Sequence, residues 1–249
     1  LALLTADMAQ AQEVIDSLEH EAERIGLYCN SRKTEVQSFN QQQVVKLQTK
    51  NGETLKVVDN FKYLGARTKS SETDFQIRKA AAWNACHKLK KIWTSKLSKK
   101  MKKRLFLATV VSVFLYGSET WTVTEQMRKR IDGCYTRMLR MAFNVHWQSH
   151  TTNSELYGDL LPLSTMIQQR RMRLSGHIVR HPEEMAHQLV LWTPTEGQRN
   201  RGRQRKTYID NLLDDTGADN VIELKSMMED RETWRERVKS TGRPDGRPR

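Results

Sequence analysis

Residues Ile25–Glu35 read IGLYCNSRKTE, and the fold turns on how this stretch is parsed. Before it, apolar residues fall at Val14, Ile15, Leu18, Ala22 and Ile25, the spacing of one helix face. Asp7 is placed to cap that helix and Gly26 lies just past its end. After it the period changes. LYCN, EVQSF, VVKLQ and TLKVV are short β-like runs, the last two flanking Lys50-Asn51-Gly52-Glu53, where Asn-Gly is a strong hairpin signal. FKYLGART follows directly, and LALLT at the start of the chain reads as a further strand. Residues 1 to about 70 therefore predict strand, helix and a small, mostly antiparallel sheet, an α+β arrangement.

Beyond Asp74 the composition changes. No Asp or Glu occurs from Phe75 to Ser118, while eleven Lys and Arg do, so most of the net charge of +13 sits there. The pattern is helical: one helix over about Asp74–Trp93, a break at Thr94–Ser98, and a second over about Lys99–Tyr116. A third covers Thr124–Phe143 with Ile131, Tyr135, Met138, Leu139 and Ala142 on one face. Shorter helices are expected around Leu156 and over Ile167–Leu174. Thr193–Lys206 reads as a Gly/Arg loop and TGRPDGRPR as a flexible basic tail.

At 249 residues the chain can bury a sizeable core, and a sequence pI near 9.8 points to a polyanionic partner, nucleic acid before membrane. Cys29, Cys86 and Cys134 have no CxxC spacing and support neither a disulfide framework nor a cysteine zinc site, which fits a reducing compartment. The longest uncharged apolar run, Leu105–Gly117, is short of the ~20 residues a membrane span needs and reads as a buried helix. With no initiator Met and no basic n-region, the opening LALLTAD reads as the cut end of a longer chain.

Three constellations could carry chemistry. Lys88, Lys90, Lys91, Lys96, Lys99, Lys100, Lys102, Lys103 and Arg104 form a stretch without acids. A merely solvated helix normally mixes both signs, so this one suits phosphate neutralisation. Trp83, just before it, and Trp93, within it, are either stacking platforms or core. Arg199, Arg201, Arg203, Arg205 and Lys206 form a second basic patch, either a phosphate loop or a surface linker. His177, His181 and His187 have partial zinc spacing but no Cys or third ligand at customary spacing, and Asp214-Asp215 reads as a solvated helix end, so no metal site is expected. Lys33, taken alone, is a surface lysine after a turn.

The order of elements adds to this. LALLT, a helix, GLYCNSRKTE, a hairpin, FKYLG and then a basic helical region resembles the end of the palm and the thumb of a reverse transcriptase, specifically that of non-LTR retrotransposons of the RTE clade. VVSVFLYGSETWTVTEQMRKRIDGCYTRMLR resembles that family's thumb. RRMRLSGHIVRHPEE, LVLWTPTEGQRNRGRQRKTYIDNLL and MMEDRETWRERV resemble its C-terminal tail. The resemblance implies a palm end over residues 1–70, a basic helical thumb over 71–145 and a helical, basic tail over 146–249. It implies an RNA template, a DNA primer or target and a nuclear setting, with cytoplasm possible for a ribonucleoprotein. It gives Lys33 the role of general acid toward the leaving pyrophosphate. It makes Phe61, Lys62, Tyr63, Leu64 and Gly65 a primer grip, with Tyr63 and Leu64 packed inward. The family's metal-binding aspartates would precede Leu1, so Mg²⁺ is expected of the intact parent and no cofactor of this piece. A nucleic-acid-binding module without catalysis, or a decayed transposon copy, is the competing reading.

Overall fold

The computed structural model describes residues 1–39, 46–68, 70–193 and 206–242. Among the described residues the chain is mostly helical, about 60%, with two short strand pairs, which is compatible with α+β. It divides into two compact units, Leu1–Thr73 and Asp74–Arg249.

The first unit is built around helix α1 (Met8–Arg24). Asp7 caps it as its spacing predicts, the carboxylate accepting from Gln10 N–H at 2.9 Å, and Gly26 (φ +76°) follows its end. The Asn51-Gly52 turn also forms: Gly52 takes φ +77°, Gln48 bridges Thr54 in antiparallel register, and Leu55 N–H donates to Leu47 O. The amide of Gln12 holds this hairpin to α1, donating to Gln48 O at 2.7 Å and accepting from Gln48 N–H at 3.0 Å.

Strand β1 (Glu35–Val36) pairs in parallel with β2 (Lys56–Val57), and β3 (Lys62–Tyr63) pairs antiparallel with β4 (Ala66–Arg67). The parallel pair departs from the mostly antiparallel sheet expected, because β2 leaves the 51–52 turn and meets the segment before that hairpin, not the other arm of it. LALLT and LYCN form no strand. Leu1–Thr5 and Leu27–Asn30 are exposed, with no partner strand beside them among the described residues.

The second unit opens with α2 (Ser71–Lys88, straddling the division), α3 (Lys90–Trp93) and α4 (Lys99–Phe106). The helix expected to run on to Tyr116 instead widens to a π-turn at Leu107–Val111 before α5 (Ser112–Phe114). Thr109 and Ser112 hydroxyls bond back to the carbonyls of Leu105 and Ala108, each at 2.7 Å, the kind of side-chain insertion that loosens an i→i−4 ladder. Helix α6 (Glu125–Ala142) buries Ile131, Tyr135, Met138, Leu139 and Ala142, the face its spacing predicts.

Then come α7 (Asn153–Tyr157) and α8 (Leu163–Val179). Phe75, Trp93, Phe106, Phe114, Trp121 and the α6 face form one apolar cluster, which also takes in Leu156, Leu163 and Ile167 from beyond position 145.

A short α9 (Met185–Val190) leads on to α10 (Tyr208–Thr216), α11 (Val221–Glu229) and α12 (Arg231–Ser240). These last three pack on the far half of α8 around Met172, Val179, Leu212, Leu224, Met228, Trp234 and Val238. The C-terminal region is therefore a folded bundle with its own apolar centre. TGRPDGRPR from Arg243 on lies outside the described residues.

Between the two clusters sits a buried polar knot. Arg171 donates through Nε and Nη2 to one oxygen of Asp215 at 2.8 and 2.6 Å, and through Nη1 to Trp121 O at 2.7 Å, both side chains being about 1% exposed. Asn211 completes it, accepting from Val123 N–H at 2.5 Å and donating to Val123 O at 3.1 Å. Burial pushes the Asp215 carboxyl up, against the opposing pull of Arg171. Asp215 is thus no solvated helix end. Its neighbour Asp214 does face solvent and pairs with Lys206.

Candidate nucleic-acid interface

The lysine stretch divides by helix geometry. Ser98 caps α4, accepting from Met101 N–H, and from there α4 turns Lys102 and Phe106, four residues apart, toward the core. Lys102 is buried and its ammonium donates to Trp93 O at 2.5 Å, so it closes the end of α3 and is not presented to a ligand. This overturns its placement on the phosphate face. A lysine stem can lie on apolar surface when its amine finds an acceptor. Lys103 pairs with Asp159, whose carboxyl it holds below the ordinary range through that hydrogen bond. Lys88, Lys90, Lys91, Lys96, Lys99, Lys100 and Arg104 are exposed or half-exposed, and Lys99 lies 5.3 Å from the ring centre of Phe143. Trp93 is core, its indole donating to Cys86 O at 2.8 Å; Trp83 is half-buried and stacks on His87.

In the first unit, Lys33 is exposed on a turn. Its N–H and that of Thr34 both donate to Asn30 O at 3.0 Å. FKYLG forms a tight hairpin in which Leu64 (φ +46°) and Gly65 (φ +86°) make a two-residue turn of the mirror-image type that suits twisted strands. Tyr63 is 44% and Leu64 75% exposed, so neither packs inward as the grip reading expects. Two-residue strands offer no facing layer to cover them. Arg199, Arg201, Arg203 and Arg205 lie outside the described residues; Lys206 is half-exposed on Asp214.

His177 and His181 lie with ring centres 4.1 Å apart and planes tilted by 49°, and Nδ1 of His181 lies 2.7 Å from His177 O. Nδ1 of His187 lies 3.2 Å from Ile178 O. Among the described residues no group of three His, Cys, Asp or Glu is placed to hold a metal ion. No described helix is long and apolar enough to cross a membrane.

One basic feature escapes a reading of charge runs. A cleft of about 410 Å³ between α2 and α6 is lined by Phe75, Lys79, Gln126, Lys129, Arg130, Gly133, Cys134 and Arg137. Its α6 cations are preceded by Glu125 and interrupted by Asp132, which hides them from a run count. Helical periodicity would have found them: residues 126, 130, 133 and 137 share one face.

The chain is 22% identical over 242 residues to an uncharacterized transposon-derived protein of Caenorhabditis elegans, spanning 90% of this chain and 87% of that protein. No protein-family model matches, and no solved structure does. A similarity running nearly end to end through both proteins supports a transposon-related origin for this chain.

Proposed function

We propose that this chain is the palm end, thumb and C-terminal region of a retrotransposon RNA-directed DNA polymerase, and that its own task is to grip template–primer nucleic acid. The observation that carries the gripping role is the solvent-facing row Lys88, Lys90, Lys91, Lys96, Lys99, Lys100 and Arg104 in a segment with no carboxylate of its own. Such a row neutralises phosphates and reads no bases. The end-to-end similarity to a transposon-derived protein supports the lineage. In this reading the metal-binding aspartates belong to a segment preceding this one. A decayed transposon copy fits the similarity about as well.

The two readings part on binding. Replacing Lys96, Lys99, Lys100 and Arg104 with Gln keeps helix propensity nearly constant. If the row grips a duplex, the slope of log K against log salt falls by about one unit for each phosphate-binding cation removed, for all sequences alike. An unchanged slope would remove the grip from this face. Lys33, proposed to protonate the leaving pyrophosphate, is tested in a longer chain carrying the preceding polymerase segment. There Lys33→Ala is expected to slow incorporation far more than primer binding, and an unaltered rate returns it to a surface lysine.

A further inference from the structure

The cleft between α2 and α6 combines three features. The first is charge. Lys79 from α2 and Lys129, Arg130 and Arg137 from α6 line it, with Gln126 as the one other polar side chain, and no carboxylate is in the lining. A concavity lined by charges of one sign focuses the field and raises the local concentration of an anion.

The second is the floor. Phe75 and Cys134 are buried there, and the ring of Phe75 carries the Arg130 guanidinium at 5.3 Å and the Lys79 ammonium at 5.8 Å from its centre. The cations are thereby held over an apolar base.

The third is Gly133. A glycine inside a helix costs about 1 kcal/mol relative to Ala, and a packing demand normally explains it. Gly176 of α8 has such a demand, since a Cβ there would run into the indole of Trp234, with Cδ1 at 2.6 Å. At Gly133 a Cβ would meet nothing within 4 Å. The helix thus carries a destabilising residue that no neighbour requires, and it stands in the lining of the cleft.

We propose that this cleft seats the phosphates of a nucleic-acid strand, with Lys79, Lys129, Arg130 and Arg137 as the contacting cations and Gly133 keeping the floor clear. The proposal rests on the reading of the chain as a nucleic-acid grip, and it places the binding on a surface distinct from the 88–104 row. From Lys129 to Arg137 the helix rises about 12 Å, longer than one phosphate, so a strand fits the row better than a single phosphate does. The arginines supply planar forks suited to phosphate oxygens and the lysines point charges.

The test uses the full chain and an RNA of about 20 nucleotides, long enough to overfill the cleft. The RNA is labelled and either single-stranded or paired to DNA, with anisotropy read over a range of salt. Two variants are compared, both checked by thermal unfolding. Lys79→Gln with Arg130→Gln and Arg137→Gln removes charge; the expected result is at least about a tenfold loss of affinity and a salt slope lower by about two to three units. Gly133→Leu removes no charge and improves helix propensity, yet fills the floor. The expected result is several-fold weaker binding with melting temperature held or raised.

If the charge variant weakens binding while Gly133→Leu binds as the parent does, the cations act only as a diffuse field and the cleft is not a seat. If both bind as the parent does while Gln at Lys96, Lys99, Lys100 and Arg104 weakens binding, the cleft is overturned and the grip reading stands. If the parent chain binds neither RNA, both fall.

Discussion

The two units are held together by different physics. In the second, Trp93, Trp121, Phe106, Phe114, Ile131, Tyr135, Met138 and Leu139 are each at most 2% exposed, and a second apolar centre around Trp234 closes the C-terminal helices on α8. In the first, α1 buries no residue, the buried apolar side chains among the described residues are Leu47 and Leu55, and Leu1, Leu4, Ile25, Leu27, Tyr28 and Leu64 lie open. Its order comes from caps, turns and amide bonds such as Gln12 to Gln48. An exposed hydrogen bond contributes roughly 1 kcal/mol because water competes for both partners, whereas one fully buried large side chain contributes about 1.5–3. The difference teaches that the free energy of folding is concentrated after Asp74, and that the first unit is the part that opens at low cost.

The largest expected effect breaks the second unit at its polar knot. Arg171→Ala leaves Asp215 and Asn211 buried, with the carboxylate stripped of its two hydrogen bonds from Arg171 and only Arg128 left beside it at 3.9 Å, and is expected to destabilise by about 3 kcal/mol in chemical denaturation. Arg171→Met combined with Asp215→Leu removes both charges and is expected to recover most of that loss. A single-variant cost under about 1 kcal/mol would mean that the knot is not the buried ion pair described above.

How much of the fold is legible in the sequence follows from where each signal lives. The face of α6, the Asp7 cap and the Asn51-Gly52 turn are readable because each is written in neighbouring residues that obey a period or a turn rule. The knot is not, because Arg171 and Asp215 are 44 positions apart and nothing local marks either as buried. Asp214 and Asp215 look like one acidic helix end; adjacent helical positions point apart, and one faces Lys206 while the other faces the interior. Lys102 misleads for the same reason. Its charge places it on the surface row, and only the position of Trp93 O explains where its amine goes. The pairing of β1 with β2 is likewise a tertiary choice, since two-residue strands carry almost no pattern.

A smaller effect comes from pH, and it again belongs to the second unit. Burial pushes the Cys86 thiol up to about 11 from an ordinary 9.0 and the Tyr208 phenol up to about 12 from 10.0. Both groups hold their proton in the folded state at a pH where the unfolded chain has released it. Their contribution is therefore constant below about pH 9 and is lost as pH rises from there toward 11 and 12. For Cys86 the loss by about pH 11 is on the order of 2–3 kcal/mol. Unfolding measured at about pH 7, 9 and 10.5 is expected to show stability level between the first two and lower at the third, with a shallower fall in Cys86→Ala. A stability that rises above about pH 9 would contradict the burial of both groups.

The smallest effect needs no change in stability and compares the units directly. Cys29 is exposed in the first unit, while Cys86 and Cys134 are 0% and 2% exposed in the second, with burial raising both of their thiol pKa values. Thiolate is the reactive form, so a disulfide reagent at about pH 8 is expected to titrate one thiol within seconds to minutes and the other two only as the second unit opens. Cys29→Ser should abolish the fast phase and leave the slow ones unaltered. The slow phases should quicken in Arg171→Ala, which weakens the second unit, and not in Leu55→Ala, which disturbs only the first. If Cys86 reacted as fast as Cys29 in the parent chain, the apolar cluster around Trp93 would be open to solvent. The contrast between a loosely held first unit and a well-packed second one would then fail at its base.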